Sequence, residues 1–205
     1  MDERVKAVLD EYHARIDAEW KRVREQPPRG GLDDIRDQLL LAVGPDTGRL
    51  LNLLARSLAK PNILELGTSY GYSGIWLGEA ARATGGRVTT MELADYKSKH
   101  AREMATRAGL AEFIDHKVGD AVKLIGEIDF GLDFVLVDLW KDLYVPCLDA
   151  FYPKLNPGAI VVADNMRVPD PVAAKRYRDA VRAKPGITSV MLPVGSGIEI
   201  SRYEA

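Results

Sequence analysis

The feature that most restricts the fold is the texture of the chain after Pro61, where short apolar runs alternate with helix-length amphipathic segments. Residues 62–66, 87–91, 113–118, 132–137 and 159–163 read as strands. Residues 72–83, 94–108, a short piece from Ala121, a stretch running through Leu155, and 171–183 read as helices. Such a βα alternation requires a parallel sheet, because parallel neighbours need a long crossover that a helix normally supplies. The last two apolar runs, 187–192 and 198–202, are joined at Gly195-Ser196-Gly197, a hairpin signal. The expected fold is α/β: a doubly wound, seven-stranded, mainly parallel sheet of the Rossmann-like kind with one antiparallel strand.

Ahead of this core, residues 2–24 carry Val5, Val8, Leu9, Tyr12, Ile16 and Trp20 at helical spacing. Pro27-Pro28-Arg29-Gly30-Gly31 breaks that helix. A second helical piece is expected from near Asp33 to just before Val43-Gly44-Pro45, and a third from about Asp46 to Ala59. Residues 1–60 are thus expected to cover a 61–205 core within a single domain of 205 residues. The first helix has more apolar positions than one packing face needs, which points to a homodimer.

A formal charge of -2 gives no global field for nucleic acid, and no partner of that kind is expected. The basic runs Lys21-Arg22-Val23-Arg24 and Lys175-Arg176-Tyr177-Arg178 sit among acids and read as solvated helix faces. No apolar run approaches the ~20 residues of a membrane span. Met1-Asp2-Glu3-Arg4 has no apolar leader, and the single cysteine, Cys147, sits in an apolar stretch that suits a buried thiol in a reducing compartment. The expectation is a cytoplasmic protein without a membrane partner.

Ligands of open α/β sheets bind beyond the carboxyl ends of the strands, so chemistry is sought there. The first strand runs into Glu65-Leu66-Gly67-Thr68-Ser69-Tyr70-Gly71-Tyr72-Ser73. The glycines allow a tight turn and close approach of a ligand to the next helix, and a side chain at Gly67 would stand in the ligand's path. A dinucleotide site asks for G-x-G-x-x-G. Here the pattern is G-x-x-x-G with an acid two residues earlier, which suits a cationic amino-acid ligand better than a pyrophosphate. The second strand ends in Thr90-Met91-Glu92, whose carboxylate can accept ribose hydroxyls. A plain βα turn and a surface glutamate are the alternatives.

The fourth strand ends in Asp138-Leu139-Trp140-Lys141-Asp142-Leu143-Tyr144 and the fifth in Asp164-Asn165. Neighbouring strand ends bearing hard oxygen donors suit Mg2+ or Ca2+, the alternative being two helix-capping acids. Lys141, three residues past Asp138, falls on the same side of a helical turn. A nearby divalent cation would lower its pKa and make a neutral amine base. Trp140 is either core or a wall of the pocket. His13, His100 and His116 lie in helical or strand-start patterns outside these motifs.

Glu-Leu-Gly-x-x-x-Gly-Tyr-Ser, Met-Glu, Asp-x-Trp-Lys-Asp-x-Tyr and Ala-Asp-Asn together resemble the S-adenosylmethionine-dependent catechol O-methyltransferases and the wider caffeoyl-CoA O-methyltransferase group. The resemblance spans roughly residues 38–203. It implies methyl transfer from S-adenosylmethionine, with S-adenosylhomocysteine as product, to a hydroxyl of a small aromatic diol. It places Val43 and Glu65 at the methionine end of that ligand, Gly67, Thr68 and Ser73 along its backbone-facing side, Glu92 on the ribose, and Asp120 and Ala121 beside the adenine with Trp140 as a wall. Asp138, itself counted among the residues around this ligand, would join Asp164 and Asn165 in binding Mg2+ or another divalent cation such as Ca2+ or Mn2+. Lys141 would be the general base, and Lys141 and Asn165 would meet the substrate.

Two departures stand out. Leu139 replaces the histidine that the catechol enzymes carry between the metal-binding Asp and the Trp. They also hold the second hydroxyl with a C-terminal acid, and the matching position, counted back from Gly197-Ile198-Glu199, falls near Val190 in a stretch without acids. Methyl transfer to a non-catechol hydroxyl and a catalytically silent binding protein on the same fold are the rival readings. A nicotinamide dehydrogenase is disfavoured by the missing third glycine. Calorimetry is expected to show binding of S-adenosylmethionine and none of NADH; the reverse would remove the glycine-turn motif from this reading.

Overall fold

The computed structural model describes residues 1–28 and 35–204. The N-terminal helix, α1 (Glu3–Glu25), starts where the Asp2 carboxylate accepts from Val5 N at 3.0 Å, satisfying one orphan amide of the first turn. It buries Val5, Val8, Leu9 and Tyr12. Ile16 packs at the margin and Trp20 stays 41% exposed. The start of the second expected helix, and part of the Pro27–Gly31 break, lie outside the described residues. The rest of that stretch is not helical as expected: it is a single 3-10 turn, Arg36–Gln38, and then irregular chain to Gly44, with Leu41 in the left-handed region at φ 48. Leu39 and Leu40 are buried, and Leu40 N donates to Glu19 Oε2 at 2.8 Å, so this strap is held by α1 and not by helical bonds of its own. The third helix, α2 (Pro45–Arg56), opens on a proline whose missing N–H costs nothing there.

The core then alternates as β1 (Asn62–Leu66), α3 (Tyr72–Thr84), β2 (Arg87–Glu92), α4 (Asp95–Arg107), β3 (Ile114–Val118), α5 (Ala121–Gly126), β4 (Leu132–Val137), α6 (Tyr144–Phe151), β5 (Leu155–Ala163), α7 (Pro171–Arg182), β6 (Ile187–Leu192) and β7 (Ile198–Tyr203). The seven strands form one sheet in the order β3-β2-β1-β4-β5-β7-β6. The first five pair in parallel, while β7 inserts between β5 and β6 and runs antiparallel to both. One expectation needs correction. The stretch through Leu155 is not all helix: α6 stops at Phe151, a 3-10 turn containing Pro153 comes next, and β5 already starts at Leu155. The β4–β5 register jumps from Leu132↔Leu155 to Phe134↔Ile160, which leaves Pro157 and Gly158 in an irregular stretch that does not read as strand.

Two hydrophobic layers cover the sheet. Phe134, Leu136 and Val162 face the side packed by α1, α2, α3 and α4; Leu64, Val135, Val137 and Val161 face the side packed by α5, α6 and α7. Burial on both faces explains why the central strands are continuous apolar runs and not alternating ones. Cys147 lies in the second layer, where burial pushes its thiol up to about 12, so it is the inert small hydrophobe expected. Among the described residues no helix is long and apolar enough to cross a membrane.

Backbone hydrogen bonds continue past the strand ends and align the loops at the carboxyl edge: Gly67 N donates to Met91 O, Asp138 N to Leu66 O, and Asp164 N to Val137 O, at 2.9–3.1 Å. Gly67, at φ +98, is required here for a reason other than the one expected from the sequence. A Cβ on it would lie 2.2 Å from the Asp138 carbonyl oxygen, so a side chain collides with the protein before it meets any ligand. Gly44 has a similar φ of +84 but open space around it. Gly67→Ala is therefore expected to cost about 3 kcal/mol or more, strain plus overpacking, and to lower Tm by roughly 10 °C. Gly44→Ala should cost only the backbone share, and equal melting shifts for the two variants would show that the close approach carries no strain.

Candidate active site

The carboxyl edge carries two polar networks. The first lies under the glycine turn. Glu65, on β1, is fully buried, and the parallel register sets it opposite Thr90 on β2. Thr90 Oγ1 donates to Glu65 Oε2 at 2.5 Å and lies 2.5 Å from Thr68 Oγ1. With the Thr90 proton committed to the carboxylate, the Thr68 hydroxyl must be the donor to Thr90. The Ser73 hydroxyl lies near enough to Glu65 to favour its ionised form. Burial holds the Glu65 carboxyl up at about 7; the Thr90 bond and the nearby Ser73 hydroxyl pull it down and the charge of Glu92 pushes it up. Its second oxygen, Oε1, is buried with no protein partner. A buried acceptor left unmatched is costly, and the donor that best relieves it is a cationic N–H.

Glu92, at the end of β2, accepts from Ser69 N (2.8 Å) on one oxygen and Ala94 N (2.9 Å) on the other. The carboxylate thereby straps the glycine turn to the second strand, and each oxygen keeps a lone pair for a hydroxyl. Asp120 is exposed and caps α5 by accepting from Lys123 N at 2.9 Å, with Ala121 buried as the first helical residue. Val43 ends the strap that crosses this edge; it is buried, and the strap touches the glycine turn where Ser69 Oγ donates to Leu40 O at 3.4 Å. Trp140 is 42% exposed at the start of the turn after β4.

The second network joins β4 and β5. Lys141 opens a 3-10 turn and donates from Nζ to the Asp164 backbone carbonyl at 2.9 Å. The same ammonium stands 3.6 Å above the Tyr144 ring centroid, within cation–π reach. The Tyr144 hydroxyl donates to that same carbonyl at 3.1 Å. Asn165 Nδ2 donates to Ser196 Oγ at 2.7 Å, and Ser196 Oγ donates to Asp164 Oδ1 at 3.1 Å. Neither Asp138 nor Asp164 caps a helix, so that alternative is excluded. Burial first, then the negative charge of Asp164, pushes Asp138 well above the usual carboxylate range against the pull of Lys141. Burial likewise raises Asp164. Lys141 is pushed down to about 8 by burial, with Asp138, Asp164 and Asp170 opposing.

Two desolvated carboxylates, one of which raises the other's pKa, beside an amide oxygen, form a donor set that a hard divalent cation would relieve. Among the described residues no cluster of three His, Cys, Asp or Glu gathers, and this set has only two carboxylates, its third donor being Asn165. The structure thus brings Glu65, Thr68 and Ser73 into one network and Lys141, Asp164 and Asn165 into another with Asp138 at its side. Glu92 braces the glycine turn between them. Val43, Asp120 and Ala121 lie on the flanking segments and bond to neither network.

Three residues of these networks go unmarked in the sequence motifs as site residues. Thr90 directly precedes Met91-Glu92, and only the β1–β2 register reveals that it faces Glu65. Tyr144 closes the Asp-x-Trp-Lys-Asp-x-Tyr run, and Ser196 reads in the sequence only as part of a hairpin turn. The two departures also resolve. Leu139 packs against the second hydrophobic layer, and Val190 sits 53% exposed on the outer strand β6, paired with Ile200. His13, expected to be remote, touches the motif from behind, its Nε2 lying 2.9 Å from the Tyr72 hydroxyl.

A family model described as O-methyltransferase matches residues 35–203. The chain is 33% identical over 179 residues to a protein of Mycobacterium tuberculosis named as a probable O-methyltransferase, a match covering 78% of this chain and 75% of that one. It is 31% identical over 166 residues to a catechol O-methyltransferase of the same organism, covering 74% of each. A solved O-methyltransferase from Streptomyces achromogenes, involved in tomaymycin synthesis and in complex with SAM, shares the fold over 100% of this chain and 91% of its own, with a TM-score of 0.76 and 26% identity. With the family model covering most of the chain and both networks at the strand ends where the motifs put them, the chain belongs to the O-methyltransferase family, in the group that includes catechol and caffeoyl-CoA O-methyltransferases.

Proposed function

We propose that the chain transfers the methyl group of S-adenosylmethionine to one hydroxyl of a small aromatic vicinal diol, with a divalent cation held by Asp138, Asp164 and Asn165. The observation that carries this reading is the meeting of Lys141 with the paired acids Asp138 and Asp164 at neighbouring strand ends, beside a buried acid under the glycine turn. Glu65 Oε1, unmatched and buried, suits the α-ammonium of the methyl donor, Glu92 its ribose hydroxyls, and the exposed Trp140 its rim. When bound, Mg2+ or a similar ion supplies Lewis-acid stabilisation of the negative charge developing on the diol.

The chain's own residues supply position and a proton acceptor. The two networks hold donor and acceptor in fixed relation, and that positioning supplies much of the rate. An oxygen lone pair of the diol forms the new O–C bond as the C–S bond breaks, its electrons remaining on sulfur. The hydroxyl proton passes to Lys141 Nζ, whose pKa near 8 places a useful fraction in the neutral, accepting form near neutral pH. Lys141→Ala is expected to leave S-adenosylmethionine affinity intact and lower kcat by about 10²- to 10⁴-fold. Chelation with EDTA is expected to abolish turnover, and Mg2+ to restore it. Normal kcat in the variant would move the base elsewhere, and full activity after exhaustive chelation would sink the cation site.

The Glu65 reading has its own pH signature. Its folded-state value lies above the unfolded one, so folded protein keeps the proton between about 4.5 and 7. That contribution to stability is complete below the unfolded value and is lost as pH rises through about 7. Asp138 and Asp164 are raised too and act in the same direction. Thermal stability of the ligand-free protein should therefore fall between mildly acidic and mildly alkaline pH. Glu65→Gln should remove roughly 3 kcal/mol of that fall, and saturating S-adenosylmethionine should offset the same share in the wild type. A pH slope unchanged by Glu65→Gln would show that this carboxyl ionises freely and has no call on a cation.

A further inference from the structure

We propose that Ser196 is a positioning residue for this reaction: its single hydroxyl proton fixes the orientation of the Asn165 amide and leaves the amide oxygen free as a donor. The inference rests on the reading of Asp138, Asp164 and Asn165 as the cation-holding set, and adds to it a residue outside that set.

Hydrogen accounting fixes the orientation. A serine hydroxyl has one proton, an ionised carboxylate only accepts, and a carboxamide presents two N–H donors on one side and an acceptor on the other. Ser196 Oγ lies 3.1 Å from Asp164 Oδ1 and 2.7 Å from the Asn165 side-chain amide. Ser196 Oγ donates its one proton to Asp164 Oδ1. The serine oxygen is then an acceptor toward Asn165, which must offer Nδ2 and not Oδ1. The second amide hydrogen faces Asp164 Oδ2 across a long 3.4 Å. A flipped amide would set its oxygen against that carboxylate oxygen and cost two attractive contacts. Oδ1 is therefore turned away from both partners, the arrangement a hard cation asks of a neutral ligand.

The backbone makes this geometry possible and keeps it. Asn165 sits in the left-handed region at φ 55, which asparagine tolerates better than most residues. Met166 N donates to Gly197 O at 2.8 Å and Arg167 N to Ser196 O at 3.0 Å, so the loop after β5 and the β6–β7 turn form one unit. Gly197, at φ +87, lets the two approach so closely that a Cβ there would lie 2.5 Å from Arg167 Cγ. The turn that the sequence presents as a plain hairpin thus delivers a hydroxyl to the site.

The test reads cation binding without turnover. Mn2+ affinity by electron paramagnetic resonance and S-adenosylmethionine affinity by calorimetry are measured for wild type, Ser196→Ala, Ser196→Thr and Asp164→Ala. Ser196→Ala is expected to weaken Mn2+ binding by about 10- to 100-fold, the usual effect of losing a partner that orients a metal ligand, while S-adenosylmethionine affinity is unchanged. Ser196→Thr, which keeps the hydroxyl, should bind Mn2+ as the wild type does. Wild-type Mn2+ affinity in Ser196→Ala, with Asp164→Ala impaired, would overturn the inference and leave the cation site standing. Parallel loss of both affinities in Ser196→Ala would reduce Ser196 to a general support of the loop and overturn it as well. Failure of the wild type itself to bind Mn2+ would sink the cation-site reading, and this inference with it.

Discussion

The site depends on one close approach, that of the Gly67 backbone to the Asp138 carbonyl. The turn after β1 and the turn after β4 meet where there is no room for a Cβ. Because neighbouring parallel strands lie only about 4.8 Å apart, loops leaving their carboxyl ends normally splay to avoid one another. Here the bond from Asp138 N to Leu66 O and a positive φ at Gly67 let the two turns run side by side. That contact brings the Glu65–Thr90–Thr68 network next to the Asp138–Lys141–Asp164 network. Substitution at Gly67 acts on this junction first and on any ligand second, which reverses the order suggested by the motif alone.

Once the two networks adjoin, electrostatics are set by burial. Glu65, Asp138 and Asp164 all have carboxyl groups raised by desolvation; Lys141 opposes this at both members of the Asp pair, and hydrogen bonds from Asn165 and Ser196 oppose it at Asp164. A protein core gains nothing by concentrating acids in this way. On the proposed reading the arrangement is understandable, because positive charge arrives from outside: a cationic group under the glycine turn and a divalent cation at the Asp pair. On that reading stability given up in the ligand-free protein is recovered by binding, so ligands of the correct sign should raise Tm.

How much of this is legible in the sequence varies with the physics behind each element. The strand–helix alternation after Pro61 marks the strand positions because burial on both faces leaves a continuous apolar run, which is visible without a structure. The strap of residues 39–43 reads as helix, wrongly, because Leu39 and Leu40 are buried, with Leu40 tied to α1 and to the glycine turn; apolar content there reports burial and not period. The early start of β5 is hidden by Pro157 and Gly158, which occupy an irregular stretch of register. Among the candidate site residues, the acids and Lys141 stand out because they interrupt or follow apolar runs, where a charge breaks the pattern. Thr90, Tyr144 and Ser196 do not, since hydroxyls are common everywhere and only register or a turn's path reveals where they point.

The two departures from the catechol pattern then take on a common meaning. Leu139 turns into the second hydrophobic layer, and the position near Val190 lies on the solvent side of the outermost strand. Neither change alters the groups that touch Asp138, Lys141 or Asp164. What closes this end of the site is the β6–β7 turn, which brings Ser196 and not a carboxylate against Asp164 and Asn165. A third acid beside two buried carboxyls would add to the repulsion that already raises Asp138, whereas the Ser196 hydroxyl favours the charged form of Asp164 by donating a proton. The lack of an acid near Val190 separately leaves no charged acceptor on β6 to grip the outer hydroxyl of a diol. On the proposed reading, the choice of which oxygen receives the methyl group therefore falls to the shape of the substrate, and the site gains tolerance for ring substituents where it gives up a fixed anchor.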